Sequence, residues 1–265
     1  MVGRLQPVSP EQTRAVLWRD PLKNVVLLKF LLACWDGATV YQVARAGRVA
    51  TLLVIDHRAS AYDRQTYPAT RASAIIASDD PALTREVVTA VSPDDRVIFK
   101  LASEEDRQAV GEHFALARVT AFHSYTAANH EPTATGCEIG AAADAPFDLF
   151  EAQGHDPEWL HGLLRSGRAF TSLVRAAGET RAACFAFEID GSLWEIGGVY
   201  TGPAYRGRGL AKQVVRAALT ELRRLGRLSR YQVSEDNGAS IGVAESLGMK
   251  RFLTLTHYRN EGRAA

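Results

Sequence analysis

The stretch Val199-Tyr200-Thr201-Gly202-Pro203-Ala204-Tyr205-Arg206-Gly207-Arg208-Gly209-Leu210-Ala211 carries a strand end through a turn and a glycine-rich loop into the start of a helix. Such a loop presents backbone N–H groups where the positive end of the helix dipole also points, which suits a diphosphate. Gly207 and Gly209 remove the side chains that would hold a phosphate off the backbone. Arg206, Arg208 and Lys212 add positive charge around the same spot. The segment reads as an anion cradle backed by a helix.

Two familiar glycine loops do not fit. A P-loop needs Gly-Lys-Ser/Thr, which is absent, and a dinucleotide fingerprint needs a small residue where Lys212 stands. The surroundings are more telling. A strand, Ser192 to Thr201, precedes the loop. The helix after it has Leu210, Val214, Val215, Ala218, Leu222 and Leu225 at helical spacing and ends at Gly226. A strand from Leu228 to Ser234 follows, then Asn237-Gly-Ala-Ser240 running on to Leu247-Gly248-Met249. Arg206-x-x-Gly209-x-Ala211 resembles the Arg/Gln-x-x-Gly-x-Gly/Ala signature of the GNAT superfamily of acyl-CoA-dependent N-acyltransferases. The Asn-x-x-Ser segment ending in Leu-Gly-Met is similar to that family's closing motif. The resemblance covers roughly the last half of the chain.

That resemblance implies acetyl-CoA as co-substrate, no metal, and transfer of an acetyl or other acyl group to a primary amine. It implies that the pantetheine arm lies along Val199, Tyr200 and Thr201, with Arg206, Gly207, Arg208, Gly209, Leu210, Ala211 and Lys212 around the diphosphate and Asn237 against the arm. Glu195 is the candidate base, since some relatives carry a glutamate there and strand alternation puts it on one face with Gly197 and Val199. The bland reading of Glu195 is a solvated strand-edge carboxylate. Other relatives carry the acid two residues later, where this chain has Gly197. Many also have a tyrosine where this chain has Ala244, to protonate the departing thiolate. Ser240 is the candidate to reach the sulfur instead, against the plain reading of a helix serine satisfied locally. Gly197-Gly198 either leave space near the reaction centre or mark a bulge. Two other functions remain open: a CoA-binding sensor or structural module without turnover, and an amino-acid N-acyltransferase using longer acyl groups.

Composition narrows the setting. The 265 residues are 46% hydrophobic and 23% charged, with a net charge of +1. That balance argues against a nucleic-acid partner or a membrane surface. Cys34, Cys137 and Cys184 are few and scattered, and His155 and His161 have no ligand spacing, so neither a disulfide framework nor a zinc site is expected. A cytoplasmic protein acting on a small-molecule or peptide amine is the expectation, with a homodimer left open.

The element order occurs twice. In the first half, Asp20-Pro21 opens a helix carrying Leu22 to Trp35; a strand pair, Ala38 to Arg45 and Val49 to His57, follows around Ala46-Gly47. Then come a strand at Arg71 to Ala77, a helix after Asp80-Pro81, a strand at Arg96 to Leu101, a capped helix from Ser103 and a strand at Leu116 to Tyr125. The polar stretch Thr126 to Gly136 reads as a linker. Helical material at Pro146 to Leu164 and strands at Ala169 to Ala176 and Arg181 to Ile189 lead into the cradle. The fold class is therefore α/β with a mixed sheet, read as two tandem GNAT-like domains over residues 1–130 and 131–265. The first is degenerate: Ser78-Asp79-Asp80-Pro81 stands where the cradle would be, and two carboxylates there repel a diphosphate. The alternative is one domain with an unrelated N-terminal extension.

Overall fold

In the computed structural model, which describes residues 5–127 and 136–263, the chain forms two compact units. The first runs to Phe122 and takes in the residues from Leu253 onward; the second spans His123–Phe252. Most of the linker expected at 126–136, and the boundary expected at 130/131, lie outside the described residues.

The first unit has α1 (Pro10–Leu17), α2 (Val25–Ala33), β1 (Ala38–Arg45), β2 (Arg48–Asp56), α3 (Ala61–Thr66), β3 (Ala72–Ser78), α4 (Pro81–Val87), β4 (Val97–Leu101) and α5 (Glu104–Gly111), followed by β5 (Phe114–Thr126). The second has β6 (Glu138–Gly140), α6 (Phe147–Glu151), α7 (Pro157–Arg165), β7 (Ala169–Ala176), β8 (Glu179–Asp190), β9 (Leu193–Thr201), α8 (Leu210–Arg224), β10 (Leu228–Ser234) and α9 (Gly238–Ser246), and leads into β11 (Lys250–Arg263). The short α1, α3 and β6 have no counterpart among the elements expected from sequence. The helix expected from Leu22 to Trp35 is confined to Val25–Ala33, because turns occupy 18–24.

Each unit repeats one pairing scheme. β1 and β2 are antiparallel, β2 and β3 antiparallel, β3 and β4 parallel; β7, β8, β9 and β10 follow the same antiparallel, antiparallel, parallel sequence. Both opening hairpins turn on an Ala-Gly pair with positive φ, Ala46-Gly47 and Ala177-Gly178. Two consecutive left-handed residues match the twist of the flanking strands, so the same dipeptide recurs in both copies.

The domain boundary differs from the expected one at the C-terminus. β11 pairs antiparallel with β4, from Thr256↔Leu101 to Arg259↔Ile98, so the last strand belongs to the first unit. Leu253, Leu255 and His257 alternate inward along β11. The end of β5, from His123, belongs to the second unit. Strand alternation specifies which face is buried but not which sheet receives the strand.

A buried polar cluster lies in the first unit. Lys100 Nζ donates to both oxygens of Asp63 at 2.8 and 2.7 Å, and Ser73 donates to the same carboxylate at 2.9 Å. Nearby, the Tyr67 hydroxyl is 2.5 Å from His257 Nδ1. Burial, with Lys100 adding to it, pushes the His257 imidazole down from its ordinary 6.5 to about 3. The folded protein therefore refuses a proton that the unfolded chain accepts below pH 6.5. Stability is complete above that pH and falls on acidification towards pH 3, at about 1.4 kcal/mol per pH unit for this group. Urea unfolding at pH 7 and pH 5 checks this; equal stability at both, or an unchanged pH slope in His257→Gln, rules it out.

Candidate active site

The cradle forms as a backbone structure. Gly207 and Gly209 have φ of +74° and +76°, and a Cβ built on either meets nothing within 4 Å. These glycines are needed for left-handed backbone beside open space, not for close packing. Gly209 is the N-cap of α8, and no side chain caps that end. The first N–H groups of a fifteen-residue helix therefore point into the opening. Val214, Val215, Ala218, Leu219 and Leu222 bury the opposite face of α8 in the core. At roughly 1.5–3 kcal/mol per buried large apolar side chain, that packing fixes the helix axis.

Two features of β9 shape the rest of the site. Its parallel pairing with β10 covers Leu193–Ile196 and Leu228–Tyr231, after which the two strands part. Beyond that fork the β8 side of β9 stays paired, with Ala183↔Tyr200 and Ala182↔Thr201. Among the described residues no β10 partner pairs with the other edge of Val199 to Thr201, an edge of the kind to which an extended segment can add. The second feature is a bulge: two steps on β8, from Phe185 to Ala183, match three on β9, from Gly197 to Tyr200. Gly198 takes it up at φ +60°, where a Cβ would stand 2.3 Å from Phe185. The extra residue inverts the alternation beyond it.

The fork and the cradle open into one cleft of about 730 Å³. Of the residues expected around the cofactor, Val199, Tyr200, Thr201, Arg206, Gly207, Gly209, Leu210, Ala211, Lys212 and Asn237 line it, as does Ser240. Arg208 does not; its guanidinium lies 5.7 Å from the Tyr205 ring. Tyr205, within the stretch that carries the cradle, lines the cleft too, as do residues given no site role from sequence: Gln153, and Ala239, Gly242, Val243 and Ser246, which form one face of α9. The i, i+3, i+4, i+7 spacing of those four is the available signal. Gln153, just beyond α6, gives none. No Asp, Glu or His is among the lining residues, whereas Arg206 and Lys212 are. The cleft has the charge of an anion site.

Glu195 is not part of it. The carboxylate is buried and bound by Arg230 Nη1 at 2.6 Å, and Arg230 Nε donates to Ser124 at 3.0 Å. Its register partners are Phe187 on β8 and Arg230 on β10. The bulge at Gly198 lies between Glu195 and Val199, so the shared face expected from alternation is lost. The Arg230 guanidinium occupies the carboxylate at 2.6 Å, and Glu195 is not among the residues that line the cleft. Burial pushes the Arg230 guanidinium down, and the Glu195 charge opposes that. Both the base and the solvated-edge readings give way to a buried ion pair.

Asn237 caps α9, its Oδ1 accepting from Ser240 N at 3.0 Å. Thr201 Oγ1, on the cleft wall, is buried with no hydrogen-bond partner. His155 packs edge-on to Phe185 at 4.9 Å and His161 to Phe147 at 5.6 Å, so both rings serve aromatic packing.

Residues 139–249 match the family model described as the Acetyltransferase (GNAT) family. The second unit holds a GNAT acetyltransferase domain. The fold agrees over nearly the whole chain. A Drosophila protein of known structure superposes with a TM-score of 0.59 at 14% identity, covering 97% of this chain and 98% of its own. A GCN5-related N-acetyltransferase from Sphaerobacter thermophilus gives 0.59 at 14% identity over 96% and 94%. A tandem GNAT protein from the clavulanic acid biosynthesis pathway gives 0.52 at 15% identity over 98% of each chain. At these identities the likeness is one of fold, and the fold is that of a tandem GNAT chain. No curated protein matches the sequence. Among the described residues, no helix is long and apolar enough to cross a membrane.

The first unit differs from the GNAT domain at the matching helix start. Asp80 caps α4, its Oδ1 accepting from Ala82 N at 2.9 Å, and Arg48 pairs with its other oxygen at 2.8 Å. Asp79 accepts from Val49 N at 3.0 Å and pairs with Lys23 at 2.7 Å. These partners hold both carboxyl groups below the ordinary carboxylate range. The chain's own carboxylate thus satisfies the helix start that α8 leaves open.

Proposed function

We propose that the second unit transfers an acyl group, acetyl, from acetyl-CoA to a primary amine on a small molecule or peptide in the cytoplasm. The observation that carries this is the conjunction of an uncapped helix start, two left-handed glycines and a parted strand edge in one cleft free of acidic side chains. These residues fit CoA. The N–H groups at Gly209 to Ala211, with Arg206 and Lys212, would hold the diphosphate. The free edge of Val199 to Thr201 would hold the pantetheine arm, and the unpartnered Thr201 hydroxyl adds one more polar contact. Acetyl-CoA supplies an activated acyl group. The chain's part is to hold it extended, keep water off the bound face and leave its carbonyl open to the amine by direct attack.

One observation favours a second reading, CoA binding without turnover: no carboxylate or imidazole lines the cleft. One assay separates the two. Release of free thiol from acetyl-CoA is followed with pooled small amines, amino acids, aminoglycosides and peptide N-termini. Amine-dependent release with an acetylated product is the expected result; CoA binding with no release under any amine supports the second reading.

The first unit is proposed to take no CoA, because Asp79 and Asp80 occupy the place of the cradle. Calorimetry is expected to give one CoA per chain, and a stoichiometry of two would overturn this.

A further inference from the structure

The pairing of β9 with β10 ends at Ile196↔Tyr231, so these two residues form the vertex of the fork. Both are buried, at 1% and 2% exposure, and they share one core cluster with Cys184, Val214 and Ala244. Val199, Leu210 and Val243 line the cleft and pack against that same cluster. The apolar side of the cleft therefore rests on the core. At the vertex itself Tyr231 brings the larger of the two side chains.

The opposite face of β9 is closed just past the vertex as well. Phe185 and Phe150 are buried there, and a Cβ on Gly198 would stand 2.3 Å from the first ring and 3.0 Å from the second. With a diphosphate at the start of α8 and the arm running back along Thr201 to Val199, the far end of the ligand lies at the fork. That end of acyl-CoA is its thioester. A two-carbon acyl group needs little room beyond it. Each further methylene must enter an interior already filled by side chains, which close-packed cores resist.

We propose that Tyr231, with Ile196 opposite it, restricts the second unit to acetyl by filling the vertex of the β9–β10 fork. The inference rests on the reading of this cleft as a CoA site. Tyr231 acts here as a specificity-determining residue: its bulk excludes chains by their length. A hydrophobic site discriminates by roughly 10–200-fold per methylene, so one ring can decide the acyl group.

Calorimetry with CoA, acetyl-CoA, butyryl-CoA and hexanoyl-CoA tests this without an amine. Wild-type protein should bind CoA and acetyl-CoA alike, and the two longer thioesters at least about tenfold more weakly. Tyr231→Ala should reverse the order, binding butyryl-CoA about tenfold tighter than acetyl-CoA as two methylenes fill the new space. Tyr231→Leu, a milder change, should abolish the penalty against butyryl-CoA. Tyr231→Phe keeps the ring and should keep the wild-type order. Leu222→Ala opens a cavity in the same core near the far end of α8 and should leave the order unaltered. Affinity for CoA itself shows that each variant folds, and Tyr231→Leu decides if Tyr231→Ala does not. Wild-type protein that takes hexanoyl-CoA as well as acetyl-CoA overturns the proposal. So does a folded Tyr231→Leu that still rejects butyryl-CoA, or a Leu222→Ala that accepts it; in each case the CoA site stands. If wild-type protein does not bind CoA, the reading of the cleft and this inference fall together.

Discussion

Gly209→Asp is expected to lower CoA affinity by about 3–4 kcal/mol, several hundredfold, while leaving the protein folded. Two effects combine. Gly209 sits at φ +76°, where any side chain costs about 1–2 kcal/mol of backbone strain, though aspartate tolerates that region better than most residues. The larger effect is electrostatic. An aspartate at that position can cap α8 with its own carboxylate, as Asp80 already caps α4 at 2.9 Å. The introduced charge would then occupy the diphosphate's place and repel it. Gly209→Ala separates the two, adding strain without charge, and should weaken binding by only about tenfold. Calorimetry on both variants, with far-ultraviolet circular dichroism to show that α8 persists, checks the ordering. Unchanged affinity in a folded Gly209→Asp protein would remove the cleft as the CoA site.

Glu195→Gln is expected to cost stability and not chemistry. The Arg230 guanidinium is 1% exposed, and its charge partner is Glu195 at 2.6 Å. Removing that charge leaves a buried cation uncompensated, at a cost of about 3–5 kcal/mol. For a unit of this size the melting temperature should fall by roughly 10–20 °C. Replacing the pair together, as Glu195→Gln with Arg230→Met, should recover most of that loss because no charge is stranded. CoA affinity in the folded protein should be close to wild type, since Glu195 does not line the cleft. A Glu195→Gln protein that melts like wild type but turns over about 10²–10⁴-fold more slowly would restore the general-base role.

The contrast between these variants marks what short-range sequence can specify. Gly207, Gly209 and the apolar stripe of α8 are legible because their physics is local. A left-handed residue before an amphipathic run leaves helix N–H groups bare wherever the chain is placed. The same holds for Asp80-Pro81 and Ser103 as helix caps, and for the Ala46-Gly47 hairpin, whose positive φ values follow from turn geometry alone. The doubled element order was legible on the same grounds, as a repeat of local patterns.

Tertiary structure decided what depended on partners far along the chain. Glu195 finds Arg230 and Ser124, which lie on different strands, and only sheet pairing brings the three together. The alternation that would have aimed Glu195 into the site is cancelled by one inserted residue at Gly198. A Gly-Gly pair in a strand does not declare whether it bulges, because the answer lies in how β8 registers against β9. Gln153 reaches the cleft from a segment with no motif of its own. The transfer of β11 to the first unit left no mark on its sequence, since an alternating strand pairs as well with one sheet edge as with another. The sequence by itself determined the left-handed glycines and the uncapped start of α8, through backbone conformations that each segment adopts alone. Which side chains line the cleft beside them was settled by register and packing between distant strands, because a hydrogen bond or ion pair is specified by two positions and the chain states them one at a time.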